Sequence, residues 1–261
     1  MDLGIAGKTA LVLGGGGGLG GAIAQALAAE GAGVAVADIS PQAAERTVEA
    51  VAALGGKAVS LEWDLGDLGS IDRHITTVEG ALGPVEILVN NTGGPPPSPV
   101  GGQDPEIWLR HFQSMVMSVI AITDRVAPLM RSRGWGRIIT SASSGVIAPI
   151  PNLGLSNALR GSLLGWSKTL AREVAADGVT CNVVVPGRIG TQRTRFLDQA
   201  KAEREGRSVE ETSAASVASI PVGRYGEPRE YAAAVAFLAS TQASYITGSV
   251  MRVDGGLIAG L

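Results

Sequence analysis

The chain has 261 residues, 45% of them hydrophobic, 4% aromatic and 37 of them glycine, with 21 Lys+Arg against 24 Asp+Glu for a net charge of −3. Glycine stands at about twice its ordinary share, and a chain this long forms one or two domains with a core that needs no covalent staples. The charge balance excludes the basic excess of a nucleic-acid binder, the single cysteine (Cys181) excludes an intramolecular disulfide, and His74 and His111 leave little material for a histidine metal centre.

Short aliphatic runs alternate with helical patterns along the chain. Ala10–Leu13 reads as a strand, followed by a glycine run and a helix over Ala22–Ala29. Val34–Asp38 is a second strand, and Ser40 is placed to cap a helix over Pro41–Leu54. Strands follow at Ala58–Leu61 and Ile87–Val89, with a helix over Ile71–Leu82 between them. A long helix over Trp108–Met130 leads to strand Arg137–Thr140, and another over Leu155–Ala176 leads to strand Val179–Val185. Asp104 and Glu106 suit a cap and first-turn role ahead of the first of these long helices. Residues 192–218 are polar and weakly periodic, which suggests a mobile helical flap over a substrate. Strands apolar on both faces in β-α-β-α order predict a single α/β domain: a Rossmann-like, doubly wound parallel sheet with helices on both faces. No stretch approaches the ~18–20 apolar residues that span a bilayer, and the opening Met1–Ile5 has no signal-peptide pattern, so the expected location is the cytoplasm, without membrane contact.

Gly14–Gly18, Leu19 and Gly20 follow the first strand and open a helix. Glycine lets the backbone turn tightly and approach a pyrophosphate, whose charge the helix N-terminus stabilises. No Lys-Ser/Thr follows, so the run is not a Walker A loop. Asp38 ends the second strand, where a carboxylate bonds the adenosine ribose hydroxyls and repels a 2′-phosphate. NAD is therefore expected over NADP.

With its remaining motifs the sequence resembles the short-chain dehydrogenase/reductase family, particularly the 3-oxoacyl-(acyl carrier protein) reductase-like members. The family's Thr-Gly-x-x-x-Gly-x-Gly stands here as Leu13-Gly14-x-x-x-Gly18-x-Gly20, without the Thr. The resemblance implies adenine contacts at Asp64 and Leu65, and cofactor contacts at Asn91 and Gly93 within Asn90-Asn91-Thr92-Gly93. It also implies nicotinamide-side contacts from Pro186, Gly187, Ile189 and Thr191. Gly223–Pro228, Tyr245–Gly248 and Val253–Gly256 match further family signatures. A homotetramer is implied too, built through the long helices, on which Trp166 and Leu170 serve the core or a subunit interface.

The family's catalytic set is Asn-Ser-Tyr-x-x-x-Lys. Ser143 matches the Ser, but Ser156 stands at the Tyr position, Arg160 at the Lys position and Met115 at the Asn position. Carbonyl reduction needs a proton for the developing alkoxide. A phenol with pKa of about 10, lowered by a neighbouring ammonium, can supply it; a serine hydroxyl is a far poorer acid, and guanidinium does not give up its proton. Ser156 and Arg160 share a helix face and can bond an oxyanion or the cofactor ribose without relaying a proton. Met115 reads as helix packing. His111, one turn before it, is a candidate substitute acid, set against an ordinary packed or solvated role. Arg188, Arg193 and Arg195, with Arg160, suit a carboxylate or phosphate of a small-molecule substrate, or else ion pairs with Asp198, Glu203 and Glu205.

The expected function is an NAD(H)-dependent oxidoreductase acting on a carbonyl or alcohol through Ser143, Ser156 and Arg160. The alternative is a catalytically impaired nucleotide-binding member, a partner subunit or sensor. A lyase like the halohydrin dehalogenases ranks last, because those enzymes keep the Tyr and lack the nucleotide loop, the reverse of this chain.

Overall fold

A computed structural model describes residues 2–260. Seven strands form one sheet in the order β3-β2-β1-β4-β5-β6-β7 and pair in parallel throughout. They are β1 Thr9–Leu13, β2 Gly33–Asp38, β3 Lys57–Glu62, β4 Val85–Asn90, β5 Gly136–Ser141, β6 Val179–Pro186 and β7 Val250–Val253. Alternation along each strand divides the core into two layers. Ala10, Val12, Val34, Val36, Ile87 and Val89 pack on one face against helices α1 (Gly18–Ala29), α2 (Pro41–Ala53) and α9 (Pro228–Ala239). Leu11, Leu13, Ala35, Ala37 and Leu88 pack on the other, against α3 (Ile71–Leu82), α5 (Ser118–Ser132) and α6 (Gly154–Val174). The single α/β doubly wound sheet is the expected one.

Helix α3 has the expected bounds, and Ser40 caps α2 by accepting from Ala43 N–H at 3.3 Å. Three readings need correction. Helix α1 begins at Gly18 rather than Ala22, because the last glycines of the run are already helical, where apolar periodicity cannot register them. The helix expected over Trp108–Met130 is instead α4 (Pro105–Phe112), a π-turn at Gln113–Met117, and α5. Asp104 starts α4 by accepting from Glu106 N–H, with Pro105 at the first helical position. In the π-turn the hydroxyls of Ser114 and Ser118 donate to the carbonyls of Arg110 and Ser114, giving them partners where the ladder widens. The helix expected over Leu155–Ala176 ends at Val174 and closes in a 3-10 turn, with Gly178 left-handed beyond it.

Two sequence signatures acquire structural roles at the far edge of the sheet. Thr247 Oγ1 accepts from Cys181 N–H, and Asn182 Nδ2 donates to the Ile246 carbonyl, docking the Tyr245–Gly248 turn on β6. Residues 192–218 fold into α7 (Gln192–Glu205) and α8 (Val209–Ala218). Their anchor is Asp198, 1% exposed, which accepts from Arg188 at 2.7 Å, from the Tyr225 hydroxyl at 2.7 Å and from Ser213 at 3.3 Å. Among the described residues no helix is long and apolar enough to cross a membrane.

Candidate active site

The strand order reverses between β1 and β4, and in open parallel sheets the crevice beyond the strand C-termini at such a point is where ligands bind. Asn91, just past β4, fixes that point: its Nδ2 donates to the carbonyls of Leu13 at 3.2 Å and Gly14 at 3.1 Å. The glycine turn above it tolerates no side chain at several positions. A Cβ on Gly20 would lie 2.1 Å from the Gly14 carbonyl oxygen, and one on Gly16 would lie 2.7 Å from the Asp38 carboxylate. Gly14 adds a left-handed φ of +56°. Gly17, by contrast, has nothing within 4 Å of its Cβ position, so the loop presents bare backbone to the crevice at the start of α1. That shape and the helix N-terminus fit a dinucleotide pyrophosphate. Asp38 accepts from Gly16 N–H at 2.9 Å and Ser40 N–H at 3.0 Å, which holds its carboxylate at the end of β2.

One cavity of about 980 Å³ runs from this turn across the sheet edge. Of the expected cofactor residues, Gly18, Leu19, Asp38, Asn91, Gly93, Pro186, Gly187, Ile189 and Thr191 line it. Gly14 and Gly20 shape the turn from behind without lining it. Asp64 and Leu65 lie off the cavity wall, and Asp64 is engaged in its own tight turn through Gly66 N–H at 2.8 Å.

Ser143, Ser156 and Arg160 all reach the same cavity. Ser143 Oγ accepts from Gly145 N–H at 3.2 Å and keeps its own proton to donate. Arg160, 8% exposed, donates through Nη2 to the carbonyls of Thr92 at 3.0 Å and Gly93 at 2.8 Å, and through Nη1 to Ser141 at 3.3 Å. Its planar fork thus ties the chain beyond β4 to the end of β5, and leaves Nε–H and one Nη1–H for a ligand. Burial, with the nearby Arg193 charge, lowers its pKa to about 10, so it is cationic at neutral pH.

Met115 is 2% exposed and packs with Val116, Val119, Leu159 and Leu163, as its packing role requires. His111 does not line the cavity, and the substitute-acid reading falls on geometry: it sits on α4, beside Arg110. The arginine cluster separates. Arg188 is neutralised by Asp198, and Arg195 is exposed and off the cavity wall. Arg193 reaches across to donate to the Pro95 carbonyl at 2.6 Å, and its Nη2 lies beside Gly94 with that of Arg160.

Tyr231, which the sequence places on a late helix and not in the catalytic pattern, lies close by. It is fully buried in α9 beneath the site, with its hydroxyl 2.9 Å from Ser141 Oγ and 3.2 Å from the Val184 carbonyl. Burial pushes its pKa above the ordinary phenol value. It does not line the cavity, so it presents no phenol there. Only the folding of α9 under β5 brings it there.

Against known proteins, the family described as enoyl-(acyl carrier protein) reductase matches residues 15–258. The chain is 38% identical to nodulation protein G of Azospirillum brasilense over 96% of this chain and 98% of that one. It is also 38% identical to the 3-oxoacyl-(acyl-carrier-protein) reductase FabG of Escherichia coli (strain K12), over 96% of this chain and 97% of that one. The structure of L-sorbose reductase from Gluconobacter frateurii, complexed with NADPH and L-sorbose, superposes with a TM-score of 0.93 at 29% identity, covering both chains completely. An actinorhodin polyketide ketoreductase with NADPH gives 0.92 at 30% identity, covering 96% of this chain and 97% of that one. The chain belongs to the short-chain dehydrogenase/reductase family, whose members are oxidoreductases using a nicotinamide cofactor.

Proposed function

We propose that the protein is an oxidoreductase that binds NAD(H) in preference to NADP(H) and acts on a carbonyl or alcohol small molecule through Ser143, Ser156 and Arg160. The observation that carries this reading is the single cavity walled at one end by the bare glycine turn and Asp38, and at the other by those three side chains. Backbone N–H groups at the start of α1 would hold the pyrophosphate, beside the contact between Gly18 and Thr191. Asp38 takes the adenosine ribose, and no Lys or Arg follows it in Ile39-Ser40-Pro41 to accept a 2′-phosphate. Bound NAD(H) supplies hydride exchange at the reacting carbon. The Ser143 hydroxyl and one of the two remaining Arg160 donors bond the oxygen on that carbon and stabilise its negative charge. None of the three has the matched acidity of a phenol beside an ammonium, so the proton comes from solvent. We propose further that the protein is a homotetramer, supported by exposed Leu109 and Phe112 near half-buried Trp108.

Calorimetric titration with NADH and NADPH, followed by turnover of bound NADH on a panel of neutral and anionic carbonyl compounds, tests this. NADH binding at least tenfold tighter than NADPH, with oxidation on some member of the panel, is the expected result. The second reading, a non-catalytic nucleotide binder, is favoured by the three Arg160 donors already bonded to backbone carbonyls. Tight NADH binding with no oxidation across the panel selects it.

A further inference from the structure

The flap and the substrate half of the cavity carry a charge arrangement that the fold does not require. A Cβ placed on Gly94 would have Arg193 Nη2 at 3.1 Å and Arg160 Nη2 at 3.7 Å, so two guanidiniums converge on one glycine face. Among the described residues neither has a carboxylate partner. Arg160 bonds only the carbonyls of Thr92, Gly93 and Ser141, and Arg193 bonds only that of Pro95, with Phe196 beneath it at 5.5 Å. The acids that line this cavity are engaged elsewhere: Asp38 on the glycine turn, and Glu205 with Arg204.

Two like charges brought together and largely withdrawn from water repel, and the repulsion persists unless an anion joins them. Position adds to it. Arg193 lies in the first turn of the 14-residue helix α7, the end where the helix dipole favours a negative group. The pair still has donors to offer: one N–H group on Arg160 beyond the one given to the reacting oxygen, and four on Arg193. The glycine turn already provides a separate cradle for a pyrophosphate, so these donors are not needed there. Pro97, Ile150, Leu153, Leu197 and Ile258 give the surrounding wall an apolar lining.

We propose that Arg160 and Arg193 form a binding site for a forked oxyanion, the carboxylate of a small organic acid whose body rests on the apolar wall. This names the substrate class for the oxidoreductase reading above and rests on it. The same chemistry would also accept the pyrophosphate of the cofactor, and the experiment separates the two sources.

Calorimetry of the full chain would measure straight-chain carboxylates from acetate to octanoate and their methyl esters, without cofactor and with saturating NADH, and would titrate NADH alone. The variants are Arg193→Ala and Arg193→Gln, the latter keeping an N–H for the Pro95 carbonyl while removing the charge. At least one carboxylate should bind ten times or more tighter than its ester, and both variants should remove that advantage while leaving NADH affinity within twofold. An equal affinity of acid and ester throughout the series overturns the proposal. So does a carboxylate advantage that survives in Arg193→Gln. Loss of NADH affinity in the variants, with the carboxylates unaffected, would assign the pair to the cofactor instead. If the wild-type chain bound no NADH, the oxidoreductase reading would fall, while the cofactor-free titrations would still decide the anion site.

Discussion

Ser156 and Arg160 line the cavity at the positions that the family resemblance gives to a tyrosine and a lysine. The double variant Ser156→Tyr with Arg160→Lys supplies an acid of suitable pKa, and NADH-dependent reduction of simple ketones should rise at least tenfold in steady-state assays. No rise in a folded, NADH-binding double variant would mean that Met115 or the pocket shape also blocks the reaction. At the cofactor end, Asp38→Ser should shift the ratio of NADH to NADPH affinity toward NADPH by at least tenfold, read by the same titrations. Gly20→Ala forces a methyl to within 2.1 Å of the Gly14 carbonyl, so it should lower stability by about 1–3 kcal/mol and abolish NADH binding. Denaturant unfolding and titration would check both. The glycine turn and Asp38 were legible in the sequence because their spacing is local. The sequence grouped Arg160 with Arg188, Arg193 and Arg195, but not which of the three meets it, since that depends on where a flap folds back over a strand end.

Among the elements, α3 could be read to the residue because Ile71, Ile75 and Val78 form one buried stripe and Gly83 closes it. β7 could not: it is four residues long, half-exposed and at the sheet edge, so it has too little apolar pattern to register. The π-turn at Gln113–Met117 was also hidden, because inserting a residue into a helix leaves composition unchanged. The two flap helices depend on Asp198, whose buried carboxylate faces Arg188, Tyr225 and Ser213 together. Asp198→Ala leaves the half-buried Arg188 without its carboxylate partner at a cost of about 1.5–3 kcal/mol. Amide exchange in α7 and α8 should accelerate while β1 stays protected; equal exchange in both proteins would show that the flap is held by other contacts. At the start of α9, Arg224 and the Glu227 backbone N–H hold the Glu230 carboxyl down to about 2. A depressed carboxyl contributes its stability above the ordinary value of about 4.5 and loses it as pH falls toward 2. The start of α9 should therefore fray in that window, and Glu230→Gln should flatten this part of the acid limb in exchange experiments.

For the whole molecule, the layered sheet follows from strand alternation that the sequence displays openly, with Ala10 and Val12 facing one helical layer while Leu11 and Leu13 face the other. The cavity is less visible in sequence because its wall comes from turns widely separated along the chain, at Gly16–Leu19, Thr92–Gly94, Ser141–Ser144 and Pro186–Arg193. The proposed homotetramer is open to a direct measurement at this scale: Leu109→Asp should reduce the assembled mass in light scattering. The three carbonyls gripped by Arg160 also bear on how such a site can change over generations. Lysine at 160 would release most of that grip, so that replacement is a loss when taken without a compensating change at 156. A tie across two strand ends therefore couples what the two positions can each become.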